Sequence, residues 1–328
     1  MERFIYDIFN DDILDHFIHA FNIEKESVKE LDGYENFVYE VKINGKEHIL
    51  RVGHSSHRDK KQVNGELLFI DHLHKNKVSV ANPIFSKNNN LVETCEATNG
   101  YFIGSVFNKA LGSHLERGKK IPFNIVRQWG KTIGRSHSSS RKIKNIERYH
   151  WYEEYGYWEK YVEKVPKIIS EKYFECIEKV KNIKTDHYGL VHADAHHGNF
   201  FVNNGKITLF DFDDCVYSHF INDIAIVFYY AFKKNENGLV DVDKCYSFIK
   251  EFMKGYLSEN QISKEEFDNI NLFLELRDVF LYIVFKATIK PEEMNWLNGF
   301  LDQVEKRVSR KNIKKLNTSY IKRLVFEQ

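Results

Sequence analysis

Proline, cysteine and net charge are what this chain has least of. Only 4 of its 328 residues are proline, while 42% are hydrophobic and 15% aromatic; that much apolar material excludes a largely disordered chain. The 4 cysteines, Cys95, Cys176, Cys215 and Cys245, are scattered without a C-x-x-C pair, which excludes a disulfide scaffold. Lys and Arg total 48 against 47 Asp and Glu, a formal charge of +1. A partner that is nucleic-acid backbone needs a clear basic excess, and none exists here. The longest apolar run, Ile224 to Phe232, falls far short of the ~20 residues that span a bilayer. Glu2, Asp7, Asp11, Asp12 and Asp15 stand where a secretion signal needs a basic start and an apolar segment. Cytoplasmic residence, with neither nucleic acid nor membrane as partner, is the expectation.

At about 150 residues per domain the length fits about two domains, or one large one. Ile5, Phe9, Ile13, Phe17 and Phe21 recur every four residues and predict a helix over 1–22. Two β-branched and aromatic runs, 37–43 and 46–52, flank Asn44-Gly45. That is a hairpin signature, because a type I′ turn needs positive φ at both central residues. A helix is expected over 62–75 and further strands over 78–107. From about residue 110 the pattern turns helical, with a break near Pro166 and helices over 242–256, 265–288 and 292–309. The basic tail of Lys306, Arg307, Arg310, Lys311, Lys314 and Lys315 reads as a solvated helix face.

One stretch inside the helical part differs: LVHADAHHGNFFVNNGKITLFDFDD, residues 190–214. If Asn204-Gly205 is a two-residue turn, Val202 pairs with Ile207 and Phe200 with Leu209. Asn199 and Asp211 then become diagonal neighbours at the open end of the hairpin, about 7–8 Å apart at the backbone. An amide oxygen and a carboxylate in that relation suit one hard cation, and an all-oxygen set favours Mg²⁺. Asp194, on the loop entering the same corner, is left to hold an attacking hydroxyl. A catalytic-loop Asp, an Asn and a second Asp make the arrangement by which protein kinases move a phosphoryl group.

His192-x-Asp194-x-x-x-x-Asn199 followed by Phe210-Asp211-Phe212-Asp213 resembles the catalytic core of the aminoglycoside phosphotransferase/choline kinase superfamily. The resemblance extends from about residue 30 to about residue 230. Gly33-Tyr34-Glu35-Asn36-Phe37-Val38-Tyr39 is similar to that family's nucleotide loop, and Leu50-Arg51-Val52 to its third strand. Glu66 lies where the family pairs a Glu with the third-strand cation; His137 and Asp223 also fit. It implies a protein-kinase-like α/β (α+β) fold. A small N-terminal antiparallel-sheet lobe (1–107) would bind nucleotide, and a larger helical C-terminal lobe (108–328) would carry the catalytic loop and the acceptor site. It implies ATP and Mg²⁺ as cofactors. Asp194 would be catalytic, with Asn199, Asp211 and Asp213 at the metal. Arg51, Glu66, Asn36, Val106 and Asn108 would serve the nucleotide, with Asp223 bracing the loop. The acceptor would be a hydroxyl of an amino alcohol, an aminoglycoside-like sugar, a homoserine-type compound or thioribose. The sequence departs from the pattern in lacking G-x-G-x-x-G and in carrying Arg51 where Lys is usual, although Arg can clamp phosphate bidentately.

Rival readings attach to the same residues. His192-x-Asp194-x-His196-His197 superficially fits a zinc hydrolase. A Ser/Thr protein kinase or a silent nucleotide-binding module would share the fold. Trp151, Tyr152, Tyr155, Tyr157, Trp158 and Tyr161, interleaved with Glu153, Glu154 and Glu159, either cradle a cation or pack a helix on the core.

Overall fold

A computed structural model of the chain describes residues 3–33, 35–116, 118–289, 295–310 and 312–327; Tyr34 and Lys311 lie outside them. The backbone divides into two compact units. One is Met1–Leu111 with Ile143–Arg148 and Thr208–Asp213; the other is Gly112–Lys142, Tyr149–Ile207 and Asp214–Gln328. Two short segments from later in the chain thus return to the first unit.

In the first unit two helices, α1 (Arg3–Ile8) and α2 (Asp11–Ala20), precede the sheet. The sequence predicts one helix here. The chain breaks at Asn10, whose side chain accepts from the Ile13 amide at 3.1 Å and starts a second helix. The four-residue stripe survives the break, with Ile5, Ile13, Phe17 and Phe21 buried against the sheet and Phe9 stacked on Phe37 at 4.0 Å. β1 (Lys29–Leu31) leads into β2 (Phe37–Ile43) and β3 (Lys46–His54). Asn44 and Gly45 have φ of 50° and 71°, so Ile43 pairs with Lys46 and Phe37 with Val52, as the Asn-Gly turn requires. Asp59 caps α3 (Lys60–Lys75) by accepting from Gln62 N at 2.8 Å. β4 (Pro83–Ile84), β5 (Glu93–Ala97) and β6 (Gly100–Asn108) complete an antiparallel sheet of order β1-β2-β3-β6-β4, with β5 also on β6.

The second unit is mainly helical. α4 (Phe123–Ser140) is followed by α5 (Trp151–Val162) and α6 (Lys167–Lys181), the break falling at Pro166 as read. β7 (Tyr188–Val191) pairs antiparallel with β10 (Val216–His219). Between them β8 (Phe200–Asn203) and β9 (Lys206–Leu209) form a two-stranded sheet, and Asn204 and Gly205, at φ of 49° and 75°, make the expected turn. α7 (Phe220–Ala231), the short pair β11 (Lys234–Asn235) and β12 (Gly238–Leu239), and α8 (Val242–Tyr256) follow, then α9 (Ile270–Thr288), α10 (Asn295–Ser309) and α11 (Thr318–Phe326). The single helix predicted over 265–288 opens as a 3₁₀ stretch, Lys264–Asn269, before α9. Residues 292–294 of the last predicted helix lie outside the described residues. α4 and α8 approach backbone to backbone, since a Cβ on Gly130 would stand 1.9 Å from the Phe252 carbonyl oxygen. That closeness seats Trp129 against Phe252 and Phe248 in the core. Among the described residues no helix is long and apolar enough to cross a membrane.

Candidate active site

The candidate catalytic loop, residues 192–199, runs from the end of β7 to the start of β8. Its backbone hangs on one buried carboxylate. Asp223, fully buried on α7, accepts the His192 amide at 3.0 Å and the Ala193 amide at 2.7 Å. The same carboxylate meets His137 Nε2 at 3.1 Å, and His137 Nδ1 meets the Tyr256 hydroxyl at 2.9 Å. A carboxylate only accepts, so Nε2 carries the proton. Burial opposes ionisation of Asp223, but the bonds and charge of His137 hold its pKa below the usual range. Ala193 has φ of 63°, a conformation a non-glycine residue keeps only when its surroundings enforce it. Trp129 Nε1 pins the loop further on, donating to the Ala195 carbonyl at 3.1 Å.

Asp194 stands at the centre of this loop. Asn199 Nδ2 donates to its backbone oxygen at 2.9 Å and to Oδ2 at 3.0 Å. The Gly198 amide donates to His196 Nδ1 at 2.8 Å, so His196 carries its proton on Nε2, which faces Asp194 Oδ2 at 3.3 Å. The other oxygen, Oδ1, accepts from Arg277 Nη2 at 2.5 Å. Burial alone would raise the Asp194 pKa; the charge of Arg277 and the contact with His196 outweigh it and lower it. Arg277, on α9, also donates from Nη2 to the Tyr230 hydroxyl at 2.9 Å. Sequence reasoning missed Arg277 and Tyr230. A signal existed: Arg277-Asp278 interrupts an otherwise apolar face of Phe273, Leu276, Val279 and Tyr282, and a charge on a buried stripe calls for a partner.

The first unit holds a second ionic group. Arg51 on β3 grips Glu66 on α3 with both terminal nitrogens, at 2.8 and 2.6 Å, and Glu66 is fully buried. This is the pair expected from the sequence. Arg51 also lies 3.9 Å from Asp213 Oδ1 and over the Phe107 ring at 5.1 Å. Asp213 Oδ2 meets His57 Nε2 at 2.7 Å, a partner no sequence pattern flagged. Burial opposes ionisation of Asp213, and His57 followed by Arg51 holds it well below the carboxylate range. Its backbone oxygen accepts from Arg148, which also donates to the Gln62 carbonyl at 3.0 Å. Asp211 takes a left-handed φ of 62°. Asn36 lies so close over Gly53 that a Cβ there would stand 2.5 Å from its side-chain oxygen. Val106 is fully buried opposite Leu50 and Ile84, and Asn108 donates from Nδ2 to Asn82 Oδ1 at 2.9 Å.

On α5 the aromatics divide. Tyr155 packs edge-on against Phe280 at 4.7 Å and Trp158 does so at 6.0 Å, while Tyr152 and Tyr157 are exposed. Packing accounts for the first two. Lys160 already lies over the Tyr157 ring at 3.9 Å. Among the described residues no group of three or more His, Cys, Asp or Glu side chains is placed to hold a metal ion.

The phosphotransferase enzyme family matches residues 27–256, and the chain belongs to that family. It is 32% identical, over 308 residues covering 87% of this chain and 89% of the relative, to the amicoumacin kinase of Bacillus subtilis (strain 168). Among solved structures it resembles the amicoumacin kinase hAmiN in complex with AMP-PNP, Ca²⁺ and Ami. That likeness has a TM-score of 0.85 at 27% identity and covers 98% of this chain and 100% of the other. A microcompartment-associated aminopropanol kinase superposes with a TM-score of 0.70 at 17% identity, covering 91% of this chain and 95% of that one, which speaks to the fold alone. The fold is protein-kinase-like, and the chain is a small-molecule phosphotransferase with an alcohol group as acceptor. The zinc-hydrolase reading is set aside with that membership.

Proposed function

We propose that this enzyme transfers the γ-phosphoryl group of ATP, with Mg²⁺, to a hydroxyl of amicoumacin, working in the cytoplasm where ATP is supplied. The observation that carries the acceptor is the 32% identity to an amicoumacin kinase along nearly the whole of both chains. The likeness to a second amicoumacin kinase supports it, as does the nucleotide analogue and divalent cation present in that complex.

The chemistry of the donors named from the sequence supports a hard cation. Asn199 commits its amide nitrogen to Asp194, leaving its oxygen as the atom for a metal. Asp211 and Asp213 supply carboxylates, and an oxygen-only set suits Mg²⁺ over softer metals. Asn199, Asp211 and Asp213 would hold the cation, which would supply charge neutralisation for the transferring phosphoryl group. Asp194 orients the acceptor hydroxyl and takes its proton. Arg51, fixed by Glu66, addresses the nucleotide phosphates, with Asn36, Val106 and Asn108 on the nucleotide side. His57 fixes the orientation of the Asp213 carboxylate. Residues 1–107 thus act as the nucleotide lobe and 108–328 as the catalytic and acceptor lobe.

The test is ADP release from the purified chain with ATP, Mg²⁺ and amicoumacin, with phosphorus NMR of the product. Turnover abolished by EDTA is expected. Asp211→Ala should weaken Mg²⁺-dependent ATP binding more than Asn199→Ala, since only the first removes a charge. Refusal of amicoumacin alongside turnover of choline or aminopropanol would discard this acceptor.

A further inference from the structure

Four buried side chains form an unbroken hydrogen-bonded line that ends on the backbone of the candidate catalytic loop. It starts at Asn260, just past the end of α8, whose Nδ2 donates to the Tyr256 hydroxyl oxygen at 2.8 Å. That hydroxyl meets His137 Nδ1 at 2.9 Å, and His137 Nε2 meets Asp223 Oδ2 at 3.1 Å. Asp223 then accepts the His192 and Ala193 amides. Tyr256, His137 and Asp223 are fully buried, and Asn260 is nearly so. Asn260 lies beyond residue 256, where the family match ends.

The Tyr256 hydroxyl decides which way the imidazole faces. His137 stacks on Phe220 at 4.3 Å with the two rings 10° from parallel. Stacking fixes the plane of the ring but accepts it equally well turned over, since the second side-chain torsion of histidine is roughly two-fold. Turned over, the ring would aim C–H groups at Asp223 and Tyr256 where nitrogens now stand. The hydroxyl holds the observed face in either protonation state, because it donates to a neutral Nδ1 and accepts from a protonated one. Asn260 occupies an acceptor position on the same oxygen and so limits how the hydroxyl swings. The close packing of α8 on α4 sets the distance between them. A Cβ on Gly134, one turn before His137, would stand 2.5 Å from the Tyr256 carbonyl oxygen. At its other end the line reaches the strained point of the loop, Ala193 with its φ of 63°.

We infer that Tyr256 and Asn260 are positioning residues: acting through His137 and Asp223, they hold the loop in the conformation that presents Asp194 for phosphoryl transfer. This role rests on the phosphotransferase reading of Asp194 and holds for any acceptor.

The experiment reads the loop directly, by hydrogen–deuterium exchange of residues 192–199 in the full chain, and reads its output by steady-state kinetics. Both are measured on the unaltered enzyme, Tyr256→Phe, Asn260→Ala, the two combined, and Ile249→Ala, with thermal melting of each. Ile249 is fully buried on α8 and off the line, so it serves as the packing control. A buried hydrogen bond is worth about two- to tenfold in a local opening equilibrium. Tyr256→Phe should quicken exchange of 192–199 by that factor and lower kcat by a similar one, with KM for ATP and for the acceptor unchanged. Asn260→Ala should do less in both readouts, and the combined variant no more than Tyr256→Phe alone, because the hydroxyl is the only route from Asn260 to the ring. Ile249→Ala should lower the melting temperature at least as far while leaving exchange of 192–199 and kcat as they were. Unchanged exchange or unchanged kcat in Tyr256→Phe overturns the inference. So does an equal response to Ile249→Ala, or an Asn260→Ala loss that adds in full to that of Tyr256→Phe. Should Tyr256→Phe not fold, Asn260→Ala decides on the same two readouts. Asp194→Asn separates the two kinds of failure. Its full kcat would sink the reading on which this role rests, whereas unchanged exchange in Tyr256→Phe sinks the role alone.

Discussion

The two ionic groups of this enzyme are built on opposite terms. In the first unit, Arg51 and Glu66 are held by a strand and a helix, gripped bidentately and buried, Glu66 fully. In the second, Asp194, Asn199 and Arg277 belong to a loop and a helix. There the hydrogen bonds are single and an arginine donor stays unpaired. A closed pair fixes architecture, since both carboxylate oxygens of Glu66 already have a donor. An open one leaves capacity for a ligand. Loss of a member of the closed pair should therefore show in stability, and loss of a member of the open group in rate.

The largest effect is expected at the open group. Asp194→Asn should lower kcat by ~10²–10⁴ while leaving nucleotide affinity nearly unchanged, measured by steady-state kinetics and nucleotide titration. Retained kcat would remove Asp194 from its role. Arg51→Ala strands the buried Glu66 charge and should cost about 3–5 kcal/mol of stability, readable by urea unfolding. Arg51→Met with Glu66→Leu should recover most of that loss without restoring nucleotide affinity. A comparable cost comes from acid. Burial among Trp151, Tyr188 and Phe273 pulls the His219 pKa down to about 4. The folded state thus keeps His219 neutral while the unfolded chain protonates below its ordinary value of about 6.5. Stability contributed by neutral His219 is complete above that value and falls between about pH 6.5 and 4, by about 3 kcal/mol. His219→Phe should flatten that limb of the stability profile. The smallest effect is at Trp158. Trp158→Leu should cost ~0.5–1.5 kcal/mol of packing on Phe280 and move KM for neither substrate. A raised acceptor KM would return α5 to the acceptor site.

Much of this was legible in the sequence where one local rule decides. Asn44-Gly45 and Asn204-Gly205 set both hairpins, because a backbone conformation that few residue types tolerate fixes the register. Asp223 is assigned as a loop support, and it accepts the His192 and Ala193 amides; His137, matched to the family without a role, meets that carboxylate. The break at Asn10 was masked by the apolar stripe around it, which continues on both sides while the cap competes locally. His57 carried no periodic or motif signal, and its meeting with Asp213 depends on residues 156 apart. Arg277 announced itself only as a charge on an apolar stripe. The stripe predicts burial but not the partner, which lies 83 residues away.

Ala193 keeps its left-handed backbone because Asp223 holds its amide and that of His192. The torsional strain and lost freedom of the loop are thus met during folding, by bonds that no substrate makes. On the proposed role of Asp194, an arriving acceptor meets a segment that has already surrendered its conformational entropy, so the free energy of association is not diverted into ordering it. On that role, the pre-formed loop leaves encounter and productive alignment without a separate ordering step for this segment.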